Sequence, residues 1–318
     1  MPRSPCSSSL AEARLSPFRG DRMRRVAVSM ALTLLSFAAL AQDAVPGPIG
    51  PETGPHRERS HWVPFPPAPA ESQQLLLMRV CRPTGDGPHK LAVINHGSPP
   101  RSDRRRTMEP ASCERETTGW FLAQGFAVAY PMRRGFGKTG GSFAETFGDC
   151  FAPDYGNAGL SAADDIAAAL AYARDLPFVR RDAVVVVGQS AGGWASMALS
   201  SRNPSGVAAM INFAGGRGGW RDNQPHSNCA PEALTAAAGE YGKLARAPML
   251  WIYTDNDSFF APALVRDMHG AYTGGGGVAR LEALGPFGRD GHSLLFAEGG
   301  SQIWGPLVAR HLAERGVR

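Results

Sequence analysis

The chain has 318 residues, 43% hydrophobic and 19% charged, which fits a globular protein of one or two domains and excludes a disordered chain. Gly (38) and Pro (26) make it rich in loops, yet below the level of a low-complexity or collagen-like sequence. No apolar run is long enough for a transmembrane helix, and the formal charge is +5.

At the N-terminus, Met23-Arg24-Arg25 precedes an apolar run from Val26 to Leu40 and then a small-residue site at Ala39-Leu40-Ala41. These are the three parts of a secretory signal peptide, so residues 1–41 are expected to be a leader and cleavage near Ala41 to release the mature chain. Met1 and Met23 are both candidate starts. The leader holds six arginines against Glu12 and Asp21, which accounts for most of the net charge. The basic balance is therefore no argument for nucleic acid, and Arg101 to Arg106 reads as a solvated loop. An exported chain, periplasmic or extracellular, is expected to make no stable membrane insertion after cleavage.

Residues 42–71 are dense in proline and read as an extended arm. From residue 72 to 318, strands and helices alternate. Leu75 to Val80, Leu91 to Ile94 and Phe126 to Tyr130 read as strands. Thr117 to Gln124 reads as a helix ended by Gly125. Ser161 to Asp164 reads as a capping box opening the next helix, which Pro177 stops. Ala183 to Val187 is a continuous apolar run, as in a strand buried on both faces. Further strands are expected at Val207 to Phe213, Met249 to Tyr253 and Ala279 to Leu284. Helices are expected at Trp194 to Ser200, Pro231 to Ala245, Ala261 to Tyr272 and Gln302 to Arg315. This spacing predicts an α/β fold, a doubly wound and mostly parallel sheet. Residues 215–243 leave room for one small cap at most.

The strand ending at Val187 runs into Gly188-Gln189-Ser190-Ala191-Gly192-Gly193 and then a helix. This is G-x-S-x-G in a strand–turn–helix context, which exposes a serine hydroxyl on a sharp turn and aims the Ala191 N–H at a developing oxyanion. Two other glycine-rich patterns carry less. A phosphate-binding loop ending in Gly137-Lys138-Thr139 would need glycine where Met132 stands, and Gly135 to Gly140 fits G-x-G-x-x-G without opening a clear helix.

With these motifs the chain resembles the α/β-hydrolases over residues 72–318, and within them dienelactone-hydrolase-like and prolyl-oligopeptidase-type catalytic domains. The resemblance implies the order Ser, acid, His. Thr254-Asp255-Asn256-Asp257 resembles the family's G-x-x-D turn with Thr254 for Gly, which implies Asp257 as the acid; Asp255 is the alternative. Asp290-Gly291-His292 resembles the D-G-H motif and implies His292 as the base, while His269 and His311 fall in helices. His96-Gly97-Ser98-Pro99 resembles the H-G-x-P segment, so the Ser98 N–H would join that of Ala191 in an oxyanion hole, with His96 structural. Arg133 to Gly137 would border the site.

Ser190 in place of the cysteine of dienelactone hydrolases argues for an esterase acting on a small-molecule or polymer-linked ester. The segment ahead of the hydrolase domain is too short for the extra domain of prolyl oligopeptidases, which leaves a small exopeptidase or amidase as the second reading. A catalytically dead binding protein on the same fold is the third, and the intact motifs argue against it. No cofactor and no metal are implied. The mature cysteines Cys81, Cys113, Cys150 and Cys229 fit two disulfides, with Cys150–Cys229 the expected clamp on two loops beside Ser190 and Cys81–Cys113 left as the second pair.

Overall fold

In a computed structural model of the chain, residues 47–65, 74–99 and 101–317 are described here. The leader read at 1–41 lies outside them. The order of elements is β1 (Arg59–Phe65), β2 (Gln74–Cys81), β3 (His89–Asn95), α1 (Ser102–Arg106), α2 (Glu116–Ala123), β4 (Phe126–Pro131), α3 (Tyr155–Arg174), β5 (Val179–Gln189), α4 (Ala191–Ser200), β6 (Val207–Phe213), α5 (Pro231–Leu244), β7 (Met249–Thr254), α6 (Pro262–Gly274), β8 (Ala279–Leu284) and α7 (Gly300–Glu314). The strands form one sheet in the order β1-β2-β4-β3-β5-β6-β7-β8. β1 and β2 are antiparallel to their neighbours and the other pairings are parallel.

The valines of β5 show why the sheet is buried on both faces. Val184 and Val186 pack into a cluster with α3, α4, α5 and α6. Val185 and Val187 point the other way, into a cluster with α2 and α7. A strand alternates its side chains, so a sheet sandwiched by helices needs apolar residues at every position. All four valines are fully buried, worth roughly 2 kcal/mol each against exposure.

Three readings are corrected. The arm at 42–71 contains β1, which pairs with β2 from Arg59↔Val80 to Phe65↔Gln74. The Trp62 N–H donates away from β2, to the Pro48 carbonyl, and the nitrogen of Pro64, two residues on, faces the same way, so Pro64 takes no donor from the β1–β2 ladder. Helix α3 starts at Tyr155, not at Ser161, because the Asp154 side chain caps it by accepting from the Asn157 N–H at 2.9 Å. Part of the run Arg101 to Arg106 is helical, as α1. Both disulfides are present, Cys81–Cys113 and Cys150–Cys229, with Cα atoms 5.7 Å and 4.9 Å apart.

The chain leaves β3 toward β4 on one side and returns past it to β5, then runs on toward β8 on the other side. The carboxyl ends of β3 and β5 therefore flank the switch point of the sheet, where a crevice opens in such folds. Asn95 and Gly188 are paired there.

Candidate active site

Ser190 sits between β5 and α4 with φ 57° and ψ −122°, a conformation that costs a non-glycine residue roughly 1–3 kcal/mol. The surroundings hold it in place. Its N–H donates to the Phe213 carbonyl at 3.0 Å, and its own carbonyl accepts from Trp194 at 2.9 Å. A side chain at Gly192 would strike the carbonyl oxygens of Asn95 and His96, so only glycine lets the first turn of α4 lie on the end of β3. Ala191 is the first residue of α4, and its N–H has no acceptor within the helix.

Asp257 follows β7 and is fully buried. His292 Nδ1 lies 3.0 Å and 3.1 Å from its two carboxylate oxygens. Oδ1 also accepts from the N–H groups of Phe259 and Phe260 at 2.8 Å and 3.1 Å, which points the carboxylate at the histidine. Asp255, the alternative acid, is exposed and is not joined to His292. The departure at Thr254 is accommodated across the site, because the Thr254 hydroxyl fills the place a Cβ on residue 291 would need. Gly291 and Thr254 thus fit as a pair.

The loop of His292 is held from three directions. The Asp290 side chain accepts from the N–H of His292 at 3.0 Å and from the N–H and hydroxyl of Ser258 at 3.0 Å and 2.6 Å. Burial opposes the charge of Asp290, but these bonds outweigh it and hold its pKa below the usual carboxylate range. Gln189 Nε2 donates to the His292 carbonyl at 2.9 Å. Phe259 stacks on the imidazole with ring centroids 4.0 Å apart.

Two cavities meet at Ser190. One, of about 220 Å³, is walled by Ser98, Ala191, Phe147 and Gly218, with Arg105 and Arg217 also in its lining. The other, of about 700 Å³, is walled by Ser98, His292, Phe259 and Met108, with Arg104 and Arg115 at its side. The structure thus brings Ser190, His292, Ser98 and Ala191 to one crevice, with Asp257 behind His292. His269 and His311 lie elsewhere: the first bonds the Ala279 carbonyl and the second is buried on α7. Helix α5, in the span allotted to a cap, packs into the core instead; Gly216 to Gly219 form the wall.

Sequence reading passed over a buried charge cluster beside the smaller cavity. Arg133 is fully buried and grips Glu145 through Nε at 2.7 Å and Nη2 at 3.3 Å. Arg217, 4% exposed, pairs with the same carboxylate. Burial draws the pKa of Arg133 down to about 10 and that of Arg217, helped by the Arg133 charge, down to about 9. Both stay cationic at neutral pH.

Residues 114–215 match the prolyl oligopeptidase family. No curated protein matches the sequence. Among solved structures, an esterase from Pyrococcus furiosus is similar at 14% identity and a TM-score of 0.55, over 86% of this chain and 98% of that one. A protein assigned as a dienelactone hydrolase from Klebsiella pneumoniae subsp. pneumoniae is similar at 12% identity and a TM-score of 0.54, over 81% and 99%. The acylaminoacyl peptidase of Pyrococcus horikoshii is similar at 14% identity and a TM-score of 0.55, over 80% of this chain but 41% of that one. The strand order, the crevice at its switch point and these likenesses make the fold that of the α/β-hydrolases.

Proposed function

We propose that the chain is an exported serine hydrolase that cleaves carboxylic esters through Ser190, His292 and Asp257. The observation that carries this reading is the doubly bonded Asp257–His292 pair beside a serine held at positive φ. With Nδ1–H committed to Asp257, His292 Nε2 is the nitrogen free to act as base.

Ser190 Oγ attacks the acyl carbon as His292 Nε2 takes its proton, and the carbonyl electron pair moves onto oxygen. The N–H groups of Ala191 and Ser98 receive that oxyanion. Asp257 keeps the tautomer and stabilises the imidazolium. The C–O bond then breaks, and the leaving alcohol departs with the proton from His292. Water repeats the sequence on the acyl-enzyme and frees the acid. The leaving group must lie within reach of His292, so the larger cavity takes the alcohol and the 220 Å³ cavity takes a short acyl group. No step needs a metal or a cofactor.

The family match over 114–215 favours a second reading, cleavage of amide bonds at the end of a short peptide. The two disulfides support export, because such bonds persist in oxidising compartments. Among the described residues no helix is long and apolar enough to cross a membrane.

A fluorophosphonate probe tests the core of the proposal: it should label wild-type protein at Ser190 and leave Ser190→Ala unlabelled. Chromogenic short-acyl esters run beside aminoacyl anilides then separate the two substrate classes. Labelling at another residue, or none, would overturn the assignment.

A further inference from the structure

The loop leaving β3 reads His96-Gly97-Ser98-Pro99, and His96 makes two hydrogen bonds from its ring. The main-chain N–H of Arg133 meets Nε2 at 3.3 Å, and Nδ1 lies 2.7 Å from the Gly97 carbonyl oxygen. A peptide N–H can only donate, so Nε2 carries the lone pair and the ring proton sits on Nδ1. Nδ1–H therefore donates to the Gly97 carbonyl. Burial, reinforced by the Arg133 and Arg217 charges, holds the His96 pKa well below its ordinary value, so the ring stays neutral and keeps this tautomer. The donor above it is firmly seated: Arg133 Nη1 donates to the His96 carbonyl at 2.8 Å while Nε holds Glu145.

The Gly97 carbonyl and the Ser98 N–H are two ends of one planar peptide unit, and in the trans form they point in opposite directions. Fixing the carbonyl fixes the N–H, and a donor on the oxygen also polarises that N–H. This peptide lies against the nucleophile, since a Cβ on Gly97 would stand 3.1 Å from the Cβ of Ser190.

We propose that His96 is a positioning residue for hydrolysis at Ser190: its Nδ1–H clamps the Gly97 carbonyl and thereby aims the Ser98 N–H at the oxyanion. The inference rests on the serine-hydrolase reading above and adds the group that orients half of the oxyanion hole. It differs from a packing role. The His96 ring meets the edge of Phe136 with centroids 4.5 Å apart, and an apolar side chain would preserve that contact while losing the clamp.

The test compares His96→Asn with His96→Leu, two side chains with the same branched skeleton of heavy atoms. Asn carries an amide N–H where histidine carries Nδ1–H; Leu carries none. With a short-acyl chromogenic ester, His96→Leu should lose about 10- to 100-fold in kcat, less than the roughly 10²–10³ that removal of a whole oxyanion donor costs because the Ser98 N–H remains, with KM little changed. Affinity for a trifluoromethyl ketone, whose adduct with Ser190 is an oxyanion, should fall in parallel. His96→Asn should recover most of both. Equal impairment of the two variants, or full activity in His96→Leu, would overturn the clamp. Should His96→Leu not fold, the ¹⁵N spectrum of histidine-labelled wild-type protein decides. The His96 signal, assigned by its loss from the spectrum of His96→Asn, supports the inference if its proton is on Nδ1 and overturns it if the proton is on Nε2. A wild-type chain that neither takes the fluorophosphonate nor cleaves esters overturns both readings, whereas an active wild type with an indifferent His96 overturns this one alone.

Discussion

The side-chain amide of Gln189 donates to the main-chain carbonyl of His292, tying the residue before Ser190 to the loop of His292 across 103 positions of sequence. Gln189 is 9% exposed, so removing its amide leaves a buried carbonyl without that donor, at about 1 kcal/mol. Gln189→Leu is expected to lower kcat about tenfold, because a misplaced base loses the pre-set approach geometry. Steady-state kinetics beside urea unfolding reads both effects. Unchanged kcat would mean that Asp290 and Phe259 hold the loop unaided.

The choice of acid is sharper. Asp257→Asn should cut kcat by about 10⁴, because a triad without its acid holds the wrong histidine tautomer. Asp255→Asn should stay within about twofold, as an exposed substitution away from the site does. Reversal of the two effects would mean that the register of the turn after β7 differs from the one described.

How much was legible in the sequence follows from how local each feature is. The strand–turn–helix around Ser190, the Asp257 turn and the Asp290-Gly291-His292 loop are each encoded in a few consecutive residues, and the fold brings all three together. Edge strand β1 was hidden because the prolines in and around it mask a strand at the rim of the sheet. The start of α3 was hidden because Gly156, Asn157 and Gly159 are poor helix formers. Packing overrides that preference there: Tyr155 and Ala158 are buried, and Gly159 sits where a Cβ would strike the Tyr241 hydroxyl. The Arg133–Glu145–Arg217 cluster joins the β4–α3 connection to the β6–α5 connection, so no local pattern announces it.

That cluster sets a stability prediction. Glu145 is 1% exposed and is the carboxylate shared by two buried guanidinium groups. Glu145→Leu removes the counter-charge and leaves both cations, which is expected to cost about 3–5 kcal/mol. Arg217→Met leaves the Arg133–Glu145 pair intact and should cost clearly less. Chemical denaturation of the two variants checks the order, and equal losses would mean that Arg217 contributes as much pairing as Arg133.

Two histidines buried away from the crevice predict the acid side of the stability profile. Burial draws the pKa of His61 and of His311 down to about 4 from the ordinary 6.5. In the unfolded chain both regain the ordinary value, so between about pH 6.5 and 4 the unfolded state binds more protons and stability falls as pH falls. Below about pH 4 this contribution levels off. His61→Gln/His311→Gln should flatten the profile through that window relative to wild type, measured by urea midpoints at stepped pH. An unchanged slope would assign the acid sensitivity to carboxylates.

The disulfide Cys150–Cys229 closes a loop across 79 positions and ends beside the smaller cavity. The N–H of Cys229 donates to the Gly218 carbonyl at 2.8 Å, and its carbonyl accepts from the Tyr155 hydroxyl at 2.6 Å. Gly218 is itself part of the cavity lining, and so is Phe147, three residues before Cys150. The bond therefore does two things. By the chain-entropy argument it stabilises the fold by about 4 kcal/mol. Under the proposed function it also ties together two stretches of the lining of the acyl cavity. Cys150→Ser/Cys229→Ser should unfold at lower urea and should cleave short-acyl esters with kcat close to wild type, because none of the groups at Ser190 or His292 is touched. Its discrimination against longer acyl chains should weaken, read as a smaller ratio of kcat/KM between a two-carbon and an eight-carbon ester. A variant that loses stability while keeping that ratio would show that the clamp serves the fold and leaves the cavity wall to the helices behind it.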